Sequence, residues 1–227
     1  MTPVLSPSMS SILGLHRVVP RLIAEDAFQN SEAALRGIAE YERFFLLAAT
    51  NGKEPLVPST WVDLVWQRHM LDSKAYTEDC DRWAGVYLHR DEGVPPGGFE
   101  RSLALLGTPD PAVWNRPGPA FVQSDLNISC DSEGPTSDLE SEELSGVLAR
   151  VCQSLQTKPN APPWVVDARD LLKTEPELAV REYRRFLMLM IRESGSLTPC
   201  KLVDEFWHQH ILDSRAYLAF CSRVAGR

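Results

Sequence analysis

No run of about 18 apolar residues occurs anywhere in the chain, so no segment is suited to cross a bilayer as a helix. Cysteine is scarce and unpaired in pattern: the five residues, an odd number, include no Cys-x-x-Cys spacing. This excludes a zinc finger or a disulfide framework and fits reduced thiols in the cytoplasm. Also missing are a glycine-rich phosphate loop, a nucleophile elbow, a His-Glu-x-x-His motif and an EF-hand loop. No assembled catalytic set is visible, and the balance leans away from an enzyme.

Basic residues are absent from one long stretch. Between Pro117 and Ala149 stand seven acidic residues and no Lys or Arg. They account for most of the net charge of −8, since outside them 24 acids face 23 bases. The remainder is nearly neutral and offers no basic field to nucleic acid or an anionic membrane. The segment 115–146, rich in Pro, Ser and acid with little periodicity, reads as a flexible linker. Residues 1–24 carry His16, Arg17 and Arg21 ahead of the first acid, Glu25. They suit either an organelle transit segment or, through the apolar residues between Ile12 and Ile23, the first helix of the fold.

What the chain does have is a repeat. The stretch that begins Val62-Asp63-Leu64-Val65-Trp66-Gln67-Arg68-His69 recurs 141 residues later as Val203-Asp204-Glu205-Phe206-Trp207-His208-Gln209-His210, and 13 of 24 positions through Gly85 and Gly226 are identical without a gap. Such a match marks an internal duplication. The shared residues include Asp63 and Asp204, Trp66 and Trp207, His69 and His210, Asp72 and Asp213, Tyr76 and Tyr217, and Cys80 and Cys221. Upstream, Glu40-Tyr41-Glu42-Arg43-Phe44 corresponds to Glu182-Tyr183-Arg184-Arg185-Phe186.

Each copy reads as helix, loop, helix, tight turn, helix. Ser31 is a candidate N-cap for the first helix, and Thr174-Glu175-Pro176-Glu177 has capping-box spacing for its counterpart. Pro58 and Pro199 open the second helix, on which Val62, Trp66 and His69 share a stripe, as do Val203, Trp207 and His210. Leu71-Asp72-Ser73 and Leu212-Asp213-Ser214 break it and offer Asp or Ser to cap the third, and Gly85 and Gly226 stand at its C-terminal end. Short helices are further expected from Phe99 to Leu106, from Leu144 to about Leu155 and from Val165 to Lys173. The pattern predicts an all-α fold: a tandem duplication of a three-helix unit, packed as a pseudo-two-fold bundle. Residues 1–114 form the first unit, 115–146 the acidic linker and 147–227 the second unit.

The histidines invite two readings. His69 and His210 each stand three residues before an aspartate at a helix end, where the carboxylate of Asp72 or Asp213 can orient the ring and aim its other nitrogen at a ligand. A transition metal such as zinc, iron or copper would then take His69 and His210, with His208 and His89 as further ligands. Equally, a His on a Val and Trp stripe fits a buried residue satisfied by one or two hydrogen bonds. His208 and His210, two apart on a helix, point about 200° away from each other and are poorly placed to share one ion. Trp66, Trp207, Tyr76 and Tyr217 read as core aromatics, and Cys80 and Cys221 as small buried residues. Asp63 and Asp204 are candidate acceptors for the indole N–H groups three residues on.

Pro58, Val62-Asp63, Trp66, His69-x-Leu71-Asp72-Ser73-x-x-Tyr76 and Cys80, their second copy with Trp207-His208-Gln209-His210, and the trailing Tyr87-Leu88-His89, Phe99, Leu103 and Trp114 resemble the glycine-rich domain-containing protein-like family. That family occurs in plants, fungi and bacteria and was long catalogued as a domain of unknown function. The resemblance covers most of the chain apart from the N-terminus and the linker, and implies an all-helical repeat without an established activity. Three departures stand out: Gln67 replaces the first His of one copy, Arg90 follows His89 where a second His is common, and the glycine-rich tail of the plant members is absent. The reading that results is a cytoplasmic, non-enzymatic helical module for a protein partner. The alternative is a metal-binding module or metal-dependent enzyme using the duplicated histidines.

Overall fold

The computed structural model describes residues 11–24, 27–51, 56–90, 95–115, 138–156, 161–193 and 197–225. Among these residues there are ten α-helices and one 3-10 turn, and no strand. No helix among them is long and apolar enough to cross a membrane. The chain divides into two compact units, Met1–Val122 and Gln123–Arg227.

In the first unit a 3-10 turn, Leu15–Val18, runs into α1 (Val19–Ala24), followed by α2 (Ser31–Asn51), α3 (Thr60–Leu71), α4 (Ser73–Trp83) and α5 (Gly98–Leu106). Leu13, Leu15, Val18 and Leu22 are buried, so the apolar residues near the N-terminus belong to the first helical element of the fold. Residues 1–10 of the candidate transit segment lie outside the described residues. The spine is α2, whose Ile38, Tyr41 and Phe45 recur at helical spacing beside Phe44 and are all buried. Against it α3 lays Val62, Val65, Trp66, His69 and Met70, buried likewise. The cap of α2 is Asn30, whose Oδ1 accepts from Ala33 N at 2.9 Å, one residue before the expected Ser31. Ser59 caps α3 by accepting from Val62 N at 3.2 Å, so Pro58 precedes the cap instead of opening the helix. Gly37 stands inside the continuous α2 where a Cβ would lie 2.5 Å from the Phe28 ring. That crowding outweighs the roughly 1 kcal/mol that glycine costs inside a helix.

The second unit comprises α6 (Asp138–Gln156), α7 (Pro163–Thr174), α8 (Pro176–Arg192), α9 (Lys201–Leu212) and α10 (Ser214–Ala225). Its core takes Leu144, Val147, Leu148, Val151 and Leu155 from α6, Tyr183, Phe186 and Leu187 from α8, and Val203 and Phe206 from α9. Helix α6 starts at Asp138, inside the segment read as linker, because an acid-rich run that suggests a loop equally suits the positive end of a helix. Residues 116–137 of that linker lie outside the described residues. The capping box at Thr174 does not form. Thr174 Oγ1 donates back to Asp170 O at 3.0 Å, and Glu175 occupies the cap position of α8 without a side-chain bond.

One residue separates α3 from α4 and α9 from α10, with matching backbone angles: φ −88°, ψ 66° at Asp72 and φ −84°, ψ 72° at Asp213. The tight turn expected at Leu-Asp-Ser therefore forms in both copies. Gly85, at φ 69°, closes α4 by donating its N–H to Cys80 O at 3.0 Å, in the left-handed conformation that glycine adopts without strain. Gly226 lies outside the described residues.

Candidate functional site

The second helix of each copy turns its histidine inward. His69 is fully buried, and its Nδ1 lies 3.0 Å from Tyr41 Oη on α2. His210 is buried to the same extent, with Nδ1 2.8 Å from Tyr183 Oη on α8. In both, a third-helix tyrosine packs edge-on against the imidazole, Tyr76 at 4.9 Å and Tyr217 at 5.1 Å between centroids. Both histidines lie on the expected Trp stripe, but their partner is not the expected aspartate. The orienting group is a tyrosine 28 or 27 residues earlier in the chain, not the aspartate three residues on. The matching Glu-Tyr pairs mark Tyr41 and Tyr183 as equivalent positions without saying what they touch.

The far side of the ring differs between copies. His69 Nε2 lies 3.2 Å from Asp79 Oδ2 without the geometry of a hydrogen bond. At the corresponding position of the second copy stands Phe220, packed T-shaped on His210 at 5.4 Å. Burial, reinforced by the Arg17 guanidinium and partly offset by Asp72, lowers the His69 pKa to about 4, so the ring is neutral at pH 7. Burial raises the Asp79 carboxyl above its ordinary range, opposed by Arg82 and Arg17. It also holds the Tyr41 phenol well above its usual pKa. A neutral imidazole and a protonated phenol, both fully enclosed, make a packing device with no approach for a substrate.

Asp72 and Asp213 are each held by an arginine from the helical segment that opens their unit. Arg17 reaches Asp72 Oδ2 at 2.8 Å, and Arg150 of α6 reaches Asp213 Oδ2 at 2.8 Å. Asp72 makes no side-chain cap on α4, whereas Asp213 Oδ1 accepts from Ala216 N at 3.3 Å. The indole N–H of Trp66 donates to Tyr76 Oη at 2.9 Å and that of Trp207 to Tyr217 Oη at 3.2 Å. Asp63 and Asp204 are therefore not the indole acceptors. The carboxylate of Asp63 instead takes a two-pronged bond from Arg90, at 2.6 and 2.8 Å, and a third from Gln67 at 2.8 Å.

Arg90 belongs to a non-helical strap, residues 86–90, that follows Gly85 and contacts α3 and α4. Tyr76 Oη donates to Leu88 O at 2.6 Å, Leu88 N donates to Cys80 Sγ at 3.5 Å, and the Tyr87 ring packs on Tyr76 at 5.1 Å. Under the strap Asp63, Trp66, Tyr76 and Cys80 are all buried. The four corresponding residues of the second unit, Asp204, Trp207, Tyr217 and Cys221, are all half-exposed. Elsewhere the matched positions vary: Val62 and Val203, His69 and His210, Met70 and Ile211 are buried in both, whereas Asp79 is buried and Phe220 half-buried, and Ser73 is exposed and Ser214 buried. Beside the open face Leu218 is 37% exposed.

Of the four candidate metal ligands, His69 and His210 are bonded to tyrosines as above. His89 packs its ring on Tyr87 at 5.1 Å, and His208 Nε2 lies 3.6 Å from Asp204 Oδ1. Among the described residues, no three His, Cys, Asp or Glu side chains come together in a group able to hold a metal ion. Among the described residues the protein is all-helical, with two buried tyrosine–histidine pairs, one signature face buried and its counterpart half-buried. No protein-family model, curated protein or solved structure matches the chain.

Proposed function

We propose that the chain is a non-enzymatic protein-interaction module, produced by duplication of one helical unit, in which the second copy presents its signature face to a protein partner. The observation that carries this reading is the change in exposure at four matched positions. Asp63, Trp66, Tyr76 and Cys80 are buried under the strap, and Asp204, Trp207, Tyr217 and Cys221 are not. An aromatic face that keeps its residue identities while partly exposed suits a binding surface, where Tyr and Trp supply contact area at low entropic cost. Kinship with the glycine-rich domain-containing protein-like family, proposed on the shared signature residues, fits a helical repeat that works by binding.

The test is site-specific photo-crosslinking in cells, with a photoreactive residue at Leu218 and, in a separate variant, at its exposed counterpart Thr77. The expected result is a discrete protein adduct from position 218 and none from 77. Absence of an adduct at 218, or an equal smear from both, would remove the interaction reading.

A further inference from the structure

The two units also differ at the corner where the second helix of each copy begins. In the first unit Trp61, in the first turn of α3, lays its ring on Phe28 at 5.1 Å between centroids. The matched residue of α9 is Leu202. Beside it lies a groove of about 370 Å³, walled by Leu202 and by Trp164, Ala168 and Leu171, which share one stripe of α7. Two charges of opposite sign border the groove, Asp167 on α7 and Lys201 at the start of α9. Both are exposed, and neither forms an ion pair with another described residue. Lys201 Nζ stands over the Trp164 ring instead, 5.7 Å from its centroid.

We infer that this groove binds a free aromatic amino acid, with its ring between Trp164 and Leu202, its carboxylate on Lys201 and its ammonium on Asp167. Its volume falls within the range of small-molecule sites, roughly 300–1,000 Å³, and an apolar wall with a few charged groups is their usual lining. The aromatic body follows from the repeat. The matching corner of the first unit takes an indole against a phenyl ring, an arrangement that stabilises beyond the area it buries. The two charges follow from the rims. Lys201 stands at the positive end of the α9 dipole, where Cys200 supplies no side-chain cap, so a carboxylate there answers both the ammonium and the helix end. Asp167 repels a simple carboxylic acid and favours a ligand that carries an ammonium as well. The inference does not rest on the interaction reading, since it uses α7 and the start of α9 and neither Tyr217 nor Leu218.

The experiment titrates the full chain with L-phenylalanine by ligand-detected NMR. Saturable binding with a Kd of about 1 mM or below is expected. Asp167→Asn and Lys201→Gln should each weaken it about threefold or more and, both side chains being exposed, leave the thermal transition in place. Phenylpropionate, which lacks the ammonium, should bind more weakly than phenylalanine and lose nothing with Asp167→Asn. Leu202→Trp gives α9 the side chain that fills the corner of the first unit, and should abolish binding while the fold is retained. No saturable binding of phenylalanine, binding indifferent to both charge substitutions, or undiminished binding to a folded Leu202→Trp variant would each overturn the proposal. Phenylalaninamide binding as tightly as phenylalanine would assign the groove to the amino terminus of a peptide, and leucine binding as tightly would remove the ring from the account; either overturns it as well. The adduct at position 218 is independent of all these outcomes, so failure here and failure of the interaction reading are told apart.

Discussion

Alanine at Arg90 is expected to destabilise the first unit by about 3–5 kcal/mol, the usual consequence of stripping the partner from a buried ion. Alanine at Asp204 is expected to change the second unit by less than about 0.5 kcal/mol, as for other exposed charged positions. The carboxylates Asp63 and Asp204 occupy the same place in the repeat, so sequence alone assigns them equal weight. Their surroundings do not. Asp63 lies under the strap with side-chain exposure of 3% and depends on Arg90 for two of its hydrogen bonds, leaving only the Gln67 amide when the guanidinium goes. Asp204 faces water at 43% exposure. Unit-resolved hydrogen exchange of the two variants reads the difference directly. Similar destabilisation in both would mean that the second face is as closed as the first.

Acid is expected to weaken the first unit through His69. Its folded pKa, lowered to about 4 by burial, lies below the 6.5 of an exposed histidine, so the unfolded chain binds the proton more readily. The contribution is fully present above pH 6.5, declines as pH falls, and is gone by about pH 4. Its full size is roughly 3 kcal/mol. Asp79 acts in the other direction. Its raised pKa favours the folded state as the carboxyl takes up a proton, which offsets part of the loss in the acid range. Comparing unfolding free energies from pH 7 to 4.5 for the wild type and His69→Gln isolates the imidazole. The wild type is expected to show the steeper loss, and parallel curves would place the titration elsewhere.

Local patterns in the sequence led to the helices and tight turns, and long-range partners escaped it. Val62, Trp66 and His69 share a stripe by spacing alone, and the Leu-Asp-Ser break fixes where α3 ends, so burial of the histidine and the site of the turn were both legible. Tyr41 was not, since nothing in a spacing of 28 residues says which α2 side chain meets the imidazole. Asp79 and Phe220 differ between the copies, and that difference carries meaning only once both are seen against the same histidine. Assigning Asp63 to the indole failed because a buried carboxylate is better satisfied by a forked guanidinium than by one N–H, and Arg90 lies 27 residues away. The start of α6 was hidden by composition, an acid-rich run being compatible with a solvated loop and with a helix N-terminus alike.

One asymmetry separates the two units, a signature face buried in the first and half-buried in the second, and the paired cysteines report it. Cys80 is buried beneath Leu88 with its thiol pKa raised by burial, whereas Cys221 is half-exposed. Alkylation of the native protein with iodoacetamide, resolved by peptide mass spectrometry, should modify Cys221 at least about tenfold faster than Cys80. Replacing Arg90 by alanine should raise the Cys80 rate and leave that of Cys221 unchanged. Equal rates in the wild type, or a Cys80 rate indifferent to Arg90, would contradict the closed and open faces on which the proposed function stands.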